Sequence, residues 1–266
     1  MAGRKWTYDE VKLAYFLYCQ LPFGQLDSRN KEIQALAKLL DRTAGSVAMK
    51  LVNLASLDPS ITSTGRIGLK NGSKVDREVW ADLSQNWEKF AEDAIDYRHT
   101  LEQANPEKVA IALNNLGESL DAPENYFAEN RKTLVMQREK QNFFRKAVLS
   151  SYQNRCCMTG ISEPKLLIAS HIVPWSEDPQ NRLNPANGLC LSALHDKAFD
   201  QHLITLDDDY RIMISRKLKI HCNDHIIRKF FLEIEGREIF LPTRFRPEIK
   251  FLKKHQNSFS KGDCDA

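Results

Sequence analysis

The chain lacks any hydrophobic run near the roughly 18 residues that a membrane-spanning helix needs. Its opening residues, MAGRKWTYDE, hold no apolar stretch of the signal-peptide kind. Six cysteines (Cys19, Cys156, Cys157, Cys190, Cys222 and Cys264) are scattered without the spacing of a disulfide framework. Those absences predict a cytoplasmic protein with reduced thiols and no membrane partner. CxxC pairs are missing as well: three residues after Cys157 comes Gly160, and three after Cys190 comes Ala193. A four-thiolate zinc site cannot be assembled from such spacings, so no structural zinc is expected. Cys156, Cys157 and Cys190 read instead as small core residues. Internal repeats and low-complexity tracts are absent. Charge of one sign is scarce too, because 38 Lys and Arg face 35 Asp and Glu for a net of +3, and that total singles out no partner.

What is present is unevenly distributed. Glu129 to Lys146 gathers Arg131, Lys132, Arg138, Lys140, Arg145 and Lys146 against Glu129 and Glu139. Arg211, Arg216, Lys217 and Lys219 form a second basic group. Such clusters suit a nucleic-acid backbone, although either one alone is equally a solvated helix or hairpin face. With 266 residues the chain is long enough for two modest domains. The expected division is a helical unit over 1–90, a helical linker over 91–125, and a second domain over 126–266.

In the first unit, Thr7 and Glu10 have the spacing of a capping box ahead of the apolar run Val11 to Tyr18. Asn30 is placed to cap a helix bearing Ile33, Leu36, Ala37 and Leu40. After Asp41-Arg42-Thr43-Ala44, a third helix from Gly45 to about Ser56 turns Val47, Leu51 and Leu54 inward. Two helices joined by so short a turn make a helix-turn-helix-like arrangement. Its second helix is expected to expose Arg42, Thr43, Ser46, Lys50 and Asn53, residue types suited to phosphates and base edges. The competing reading is a small helical bundle for dimerisation or peptide binding. Gly65 to Ser73 reads as a loop, Trp80 and Trp87 mark a helix, and Pro106 and Pro123 interrupt the linker, where Val109, Ile111, Leu113 and Leu116 still offer apolar surface.

The second half carries the densest chemistry. A long helix is expected from Arg131 to Tyr152, a strand from Lys165 to Ile172, and a turn at Asn187-Gly188 leading into Leu189-Cys190-Leu191. A helix follows from Ser192 to His202, then short strands over Leu203–Leu206, Tyr210–Ser215 and Glu238–Leu241. His171 falls near the end of the first strand. Asp196 and Asp200, four residues apart, share one face of the helix, so both carboxylates can address one ion. His195 lies about 100° around that helix, a reserve ligand, with His202 near its end. Asn187 sits where its amide can tie the long loop and brace the imidazole. His, Asn and Asp at this density suit a site that binds a metal and moves protons. Taken singly, each of these residues is as readily an ordinary hydrogen-bonding partner, and His99, His221, His225 and His255 carry no site signal.

Four ordered blocks carry a family resemblance: Arg155-Cys156-Cys157-Met158-Thr159-Gly160, Ala169-Ser170-His171-Ile172-Val173-Pro174-Trp175, Asn184-Pro185-Ala186-Asn187-Gly188-Leu189, and His195-Asp196-Lys197-Ala198-Phe199-Asp200. This pattern resembles the HNH, or ββα-metal, nuclease family, and within it a subgroup of restriction endonucleases. The tail from Ile239 to His255 also fits. The resemblance implies an α+β chain: an N-terminal helical, helix-turn-helix-like DNA-binding domain followed by a ββα-metal nuclease domain. It implies His171 and Asn187 as catalytic residues, with His171 the general base, and Asp196, Asp200 and His195 around a divalent ion. Oxygen ligands point to Mg²⁺ or Mn²⁺. The expected substrate is double-stranded DNA, cut to 5′-phosphate and 3′-hydroxyl ends, in restriction or phage defence. Arg42, Thr43, Ser46, Lys50, Arg138 and Arg145 are the expected DNA contacts, and a two-fold homodimer through the N-terminal half the expected assembly. Residues 42–51 are similar to the second helix of helix-turn-helix regions that precede such nucleases, and Trp6-Thr7 is faintly similar to Myb-type domains. One departure stands out: many members have Asp or His just before the base, where this chain has Ser170. That neutral hydroxyl keeps a second function open, a non-catalytic DNA-binding protein or regulator with a degraded nuclease site.

Overall fold

The structure is a computed structural model that describes residues 4–62, 72–106 and 128–264, the backbone alone at 128–132 and 262–264. It is an α+β chain whose contacts divide into two compact units, Met1–Lys146 and Ala147–Ala266.

Helices build the first unit. The Thr7–Glu10 capping box is formed and starts α1 (Tyr8–Gln20), which is buried along nearly all of its length. Asn30 caps α2 (Lys31–Leu39) by accepting from Glu32 N and Ile33 N. Asp41 then takes φ 53°, in the left-handed region, and Arg42 N–H closes the end of α2 on Ala37 O at 2.9 Å. Thr43 caps α3 (Ala44–Ala55), and the expected pair of helices across a tight turn is present. A short α4 (Pro59–Thr62) follows. Ser73 and Asp76 form a second capping box at α5 (Lys74–Gln85), and Asn86 breaks the chain into α6 (Trp87–Ala104). The stretch expected to begin a linker is therefore core: Ala91, Ala94 and Ile95 are buried, and α6 packs on α1. The contact division falls at 146/147, not at the expected boundaries. Most of the expected Gly65–Ser73 loop, and Val109 to Pro123, lie outside the described residues.

Two of the expected DNA contacts are corrected here. Arg42 is turned into the unit: its guanidinium pairs with Glu10 Oε2 at 2.7 Å, donates to Arg4 O and Lys5 O, and lies 4.0 Å over the Trp6 ring. Burial works against the Glu10 carboxylate, but the bonds from Arg42 and Thr7 and the charges of Arg42 and Arg4 outweigh it and hold its pKa below the usual value. Lys50 is also buried, its Nζ 2.8 Å from the Asp76 carboxylate. Both cations neutralise interior carboxylates, a demand that helical spacing does not reveal. Thr43 is exposed, but its hydroxyl already accepts from Ser46 N; Ser46 and Asn53 are half-buried.

The long helix α7 (Ala128–Ser151) forms close to its expected span. Arg138 on it is exposed and Arg145 half-buried. Lys140 is buried and engaged by Glu88 and Glu92, so the basic stretch is less exposed than its composition suggests.

In the second unit, β1 (Leu167–His171) and β2 (Gly188–Ser192) pair antiparallel, from Leu167 opposite Ser192 to His171 opposite Gly188. Then α8 (Ala193–Asp200) packs on both strands and on β3 (Ile204–Leu206). The core is Leu167, Leu189, Cys190, Leu191, Ala198, Phe199, Ile204 and Leu206. Cys156 and Cys157 are buried thiols, and Cys157 N–H bonds Cys190 O at 2.8 Å, fastening the 156–160 turn to β2. β3 pairs with β4 (Ile212–Ile214). The strand expected at Glu238–Leu241 reduces to one bridge, Arg211 to Glu238. Three helices follow: α9 (Arg216–Lys219), α10 (His225–Phe230) and α11 (Ile249–Cys264).

Candidate active site

His171 is the last residue of β1 and sits opposite the first residue of β2. Between them, residues 172–186 form a long loop that Asn187 closes. Asn187 is fully buried; its Oδ1 accepts from Val173 N at 2.9 Å, its Nδ2 donates to Val173 O at 3.1 Å, and its carbonyl accepts from Ile172 N. Inside the loop, Arg182 O lies 2.8 Å from His171 Nε2. A carbonyl only accepts, so Nε2 carries the proton, and the neutral ring has its basic lone pair on Nδ1. The Trp175 ring meets the imidazole edge-on at 5.5 Å and has the Arg182 guanidinium 5.3 Å over its face. Burial pushes the His171 pKa below its ordinary value, against the Arg182 bond and the Asp196 charge. The ring is thus neutral at pH 7, as a proton acceptor must be.

Asp196 lies in the first turn of α8 and is half-buried, and Asp200, one turn later, is exposed. Burial raises the Asp196 pKa, and the Asp200 charge raises it further; the Ser170 hydroxyl, Lys197 and His171 pull the other way. Ser170 Oγ is itself buried and makes no hydrogen bond of ordinary geometry among the described residues. The Asp196 and Asp200 carboxylates, which repel each other, and the Ser170 hydroxyl, which lowers the Asp196 pKa, are oxygen donors of the kind a hard cation takes. Among the described residues no three His, Cys, Asp or Glu side chains converge to enclose an ion. That set suits Mg²⁺ or Mn²⁺ better than zinc, because Mg²⁺ is ordinarily held by one or two carboxylates and completed by water and substrate phosphate.

The strand pair and the helix that carry His171, Asp196 and Asp200 lie within the segment that the family comparison matches. Residues 156–207 match the HNH endonuclease family. The match runs from the Cys156 turn through β1, β2 and α8 to just past β3, which supports a nuclease domain in that segment. No curated protein matches the chain. Within the described residues, no helix is long and apolar enough to cross a membrane.

The HNH segment does not use His195 as expected. The imidazole is buried and faces away from solvent: Nδ1 is 2.8 Å from Ser192 Oγ and Nε2 is 2.9 Å from Phe230 O. Burial lowers its pKa, opposed by the Phe230 bond. With both ring nitrogens engaged it has none left for an ion, and the reserve-ligand assignment is corrected. Sequence reasoning also missed the groups that hold His171. The Arg182 carbonyl is backbone and carries no sequence signal, whereas Trp175 stood within a quoted motif without an assigned role. His202 takes φ 52°, and its Nδ1 lies 3.2 Å from His255 Nε2. His255, which carries no site signal in the sequence, is buried, stacked on Phe199 at 3.8 Å, and 2.8 Å from Thr205 Oγ1.

Proposed function

We propose that this chain is a metal-dependent DNA endonuclease, with His171 as general base and Asp196 and Asp200 as the protein ligands of a Mg²⁺ or Mn²⁺ ion. The observation that carries the proposal is the placement of the HNH segment's histidine: neutral, its Nε2–H fixed by Arg182 O, and within the electrostatic reach of Asp196. Nδ1 of His171 takes a proton from the attacking water. The Asp196 charge, already felt at His171, steadies the imidazolium that results. Asn187 acts through the backbone, holding the ends of the loop whose Arg182 carbonyl orients the ring. A bound ion supplies charge neutralisation at the phosphate and at the leaving oxygen. Water's oxygen bonds to phosphorus, the bond to the 3′ oxygen breaks, the leaving oxygen takes a proton from solvent, and 5′-phosphate and 3′-hydroxyl ends result. Arg138, Arg145, Thr43 and Ser46 stand as proposed DNA contacts, and a restriction or phage-defence role follows from the subgroup resemblance.

The test is supercoiled plasmid incubated with Mg²⁺, Mn²⁺ or EDTA, on modified and unmodified DNA, with religation of the products to read their ends. The expected result is metal-dependent nicking with ligatable ends. Ser170, a neutral hydroxyl where many family members carry a charged ligand, favours the second reading, a DNA-binding protein without activity. Binding without nicking under every metal and modification state supports that reading and overturns the first.

A further inference from the structure

The segment Arg216–Phe230 lies beyond the HNH match, yet it is fastened to the candidate site. It holds five Lys and Arg (Arg216, Lys217, Lys219, Arg228 and Lys229) against one carboxylate, Asp224. Asp224 is already engaged as the cap of α10, accepting from Ile226 N and Ile227 N. All five cations are exposed. Lys219 pairs with Glu235 at 2.6 Å, while Lys217 and Lys229 form no ion pair among the described residues. Ile220, 74% exposed, lies between α9 and α10.

The attachment is the second observation. The far end of α10 is tied to α8 through the bond between His195 Nε2 and Phe230 O, and the Phe231 ring lies 5.1 Å from the imidazole. The near end is held where Ser215 N–H bonds Leu203 O at 2.9 Å, three residues past α8. Both roots of this basic arm therefore rest against the helix that bears Asp196 and Asp200 or its immediate continuation.

We propose that Arg216–Phe230 is a DNA-backbone binding arm flanking the cleavage site, with Lys217 and Lys229 as phosphate contacts and His195 fixing its root to the helix of Asp196. This rests on the nuclease reading. Five exposed cations grouped with so little opposing charge, two of them (Lys217 and Lys229) outside any ion pair among the described residues, match a polyanion, and phosphodiester contacts need no sequence readout. His195 is thereby a positioning residue, linking the arm to the carboxylate helix.

The experiment measures affinity of the full chain for a fluorescent duplex in EDTA across a salt series. It compares wild type with Lys217→Glu/Lys229→Glu and with the milder Lys217→Gln/Lys229→Gln. Each phosphate contact contributes about 0.9 to the slope of log K against log salt, so the Gln pair should lower the slope by about 2. The Glu pair should weaken binding at low salt by at least about tenfold. Melting temperatures should be unchanged. If wild type binds and cuts while both variants match its affinity and slope, the arm proposal falls and the nuclease reading stands. Unchanged DNA binding with altered self-association would mark a protein interface and also overturn it. If wild type neither binds nor cuts DNA, both fall together.

Discussion

Replacing Lys50 by Met separates a structural lysine from a DNA-contacting one. The Lys50 side chain is 7% exposed and that of Asp76 is fully buried, with Nζ 2.8 Å from Oδ1. The other carboxylate oxygen of Asp76 accepts from Ser73 N at 2.8 Å and starts α5. Lys50→Met leaves that carboxylate buried with backbone partners only. Removing one member of a buried pair costs about 3–5 kcal/mol, because the remaining charge loses its counterion without regaining water. Adding Asp76→Asn removes the stranded charge, so the double variant should recover at least about 1 kcal/mol over Lys50→Met. Urea unfolding followed by circular dichroism gives the stabilities, and anisotropy with a duplex gives DNA affinity. A Lys50→Met chain that keeps its stability within about 0.5 kcal/mol and loses DNA affinity refutes this assignment and restores Lys50 as a contact.

His195→Ala removes a buried ring bonded at both nitrogens and leaves Ser192 and Phe230 O without partners; it should cost about 2–4 kcal/mol of stability. Weaker metal binding at unchanged stability, measured by calorimetry and urea unfolding, would return His195 to the ligand set. His255 has its pKa pushed down to about 4 by burial, then by the His202 charge, against the Phe199 bond. The unfolded chain takes up that proton near pH 6.5, so the contribution of neutral His255 is complete above that pH and lost as pH falls toward 4. Between pH 7 and 5 the loss is about 2 kcal/mol. In His255→Gln this part of the pH dependence should vanish, and an identical profile would contradict it. Because burial lowers the His171 pKa from 6.5, the acid limb of the cleavage rate should lie below pH 6.5. A limb above pH 7 would show that another group is the base.

Local signals that close on themselves were readable from the residues. The Thr7–Glu10 box and the Asn30 cap depend on neighbours a few residues apart and are present, and the strand, long loop, strand and helix follow in the expected order. Asn187 was expected to tie the long loop from its place just before the second strand, and its amide bonds Val173. Arg42 and Lys50 were misread because exposure on an amphipathic helix was inferred from polarity. The carboxylates that draw them inward, Glu10 and Asp76, are 32 and 26 residues away. His195 was misread for the same reason: its partner Phe230 O is 35 residues distant and belongs to the backbone. The boundary expected at residue 90 cuts through α6, whose Ala91, Ala94 and Ile95 are few apolar residues but buried ones. Sparse apolar content marks a linker only when nothing else covers it.

The most direct test of the central claim is the single-turnover cleavage rate of His171→Ala against wild type, at saturating enzyme with Mg²⁺ or Mn²⁺, with duplex affinity measured on the same preparations. Loss of a general base should slow cleavage by roughly 10²–10⁴-fold while DNA affinity stays within about twofold. Equal rates from the two proteins would contradict the assignment of His171 as the base.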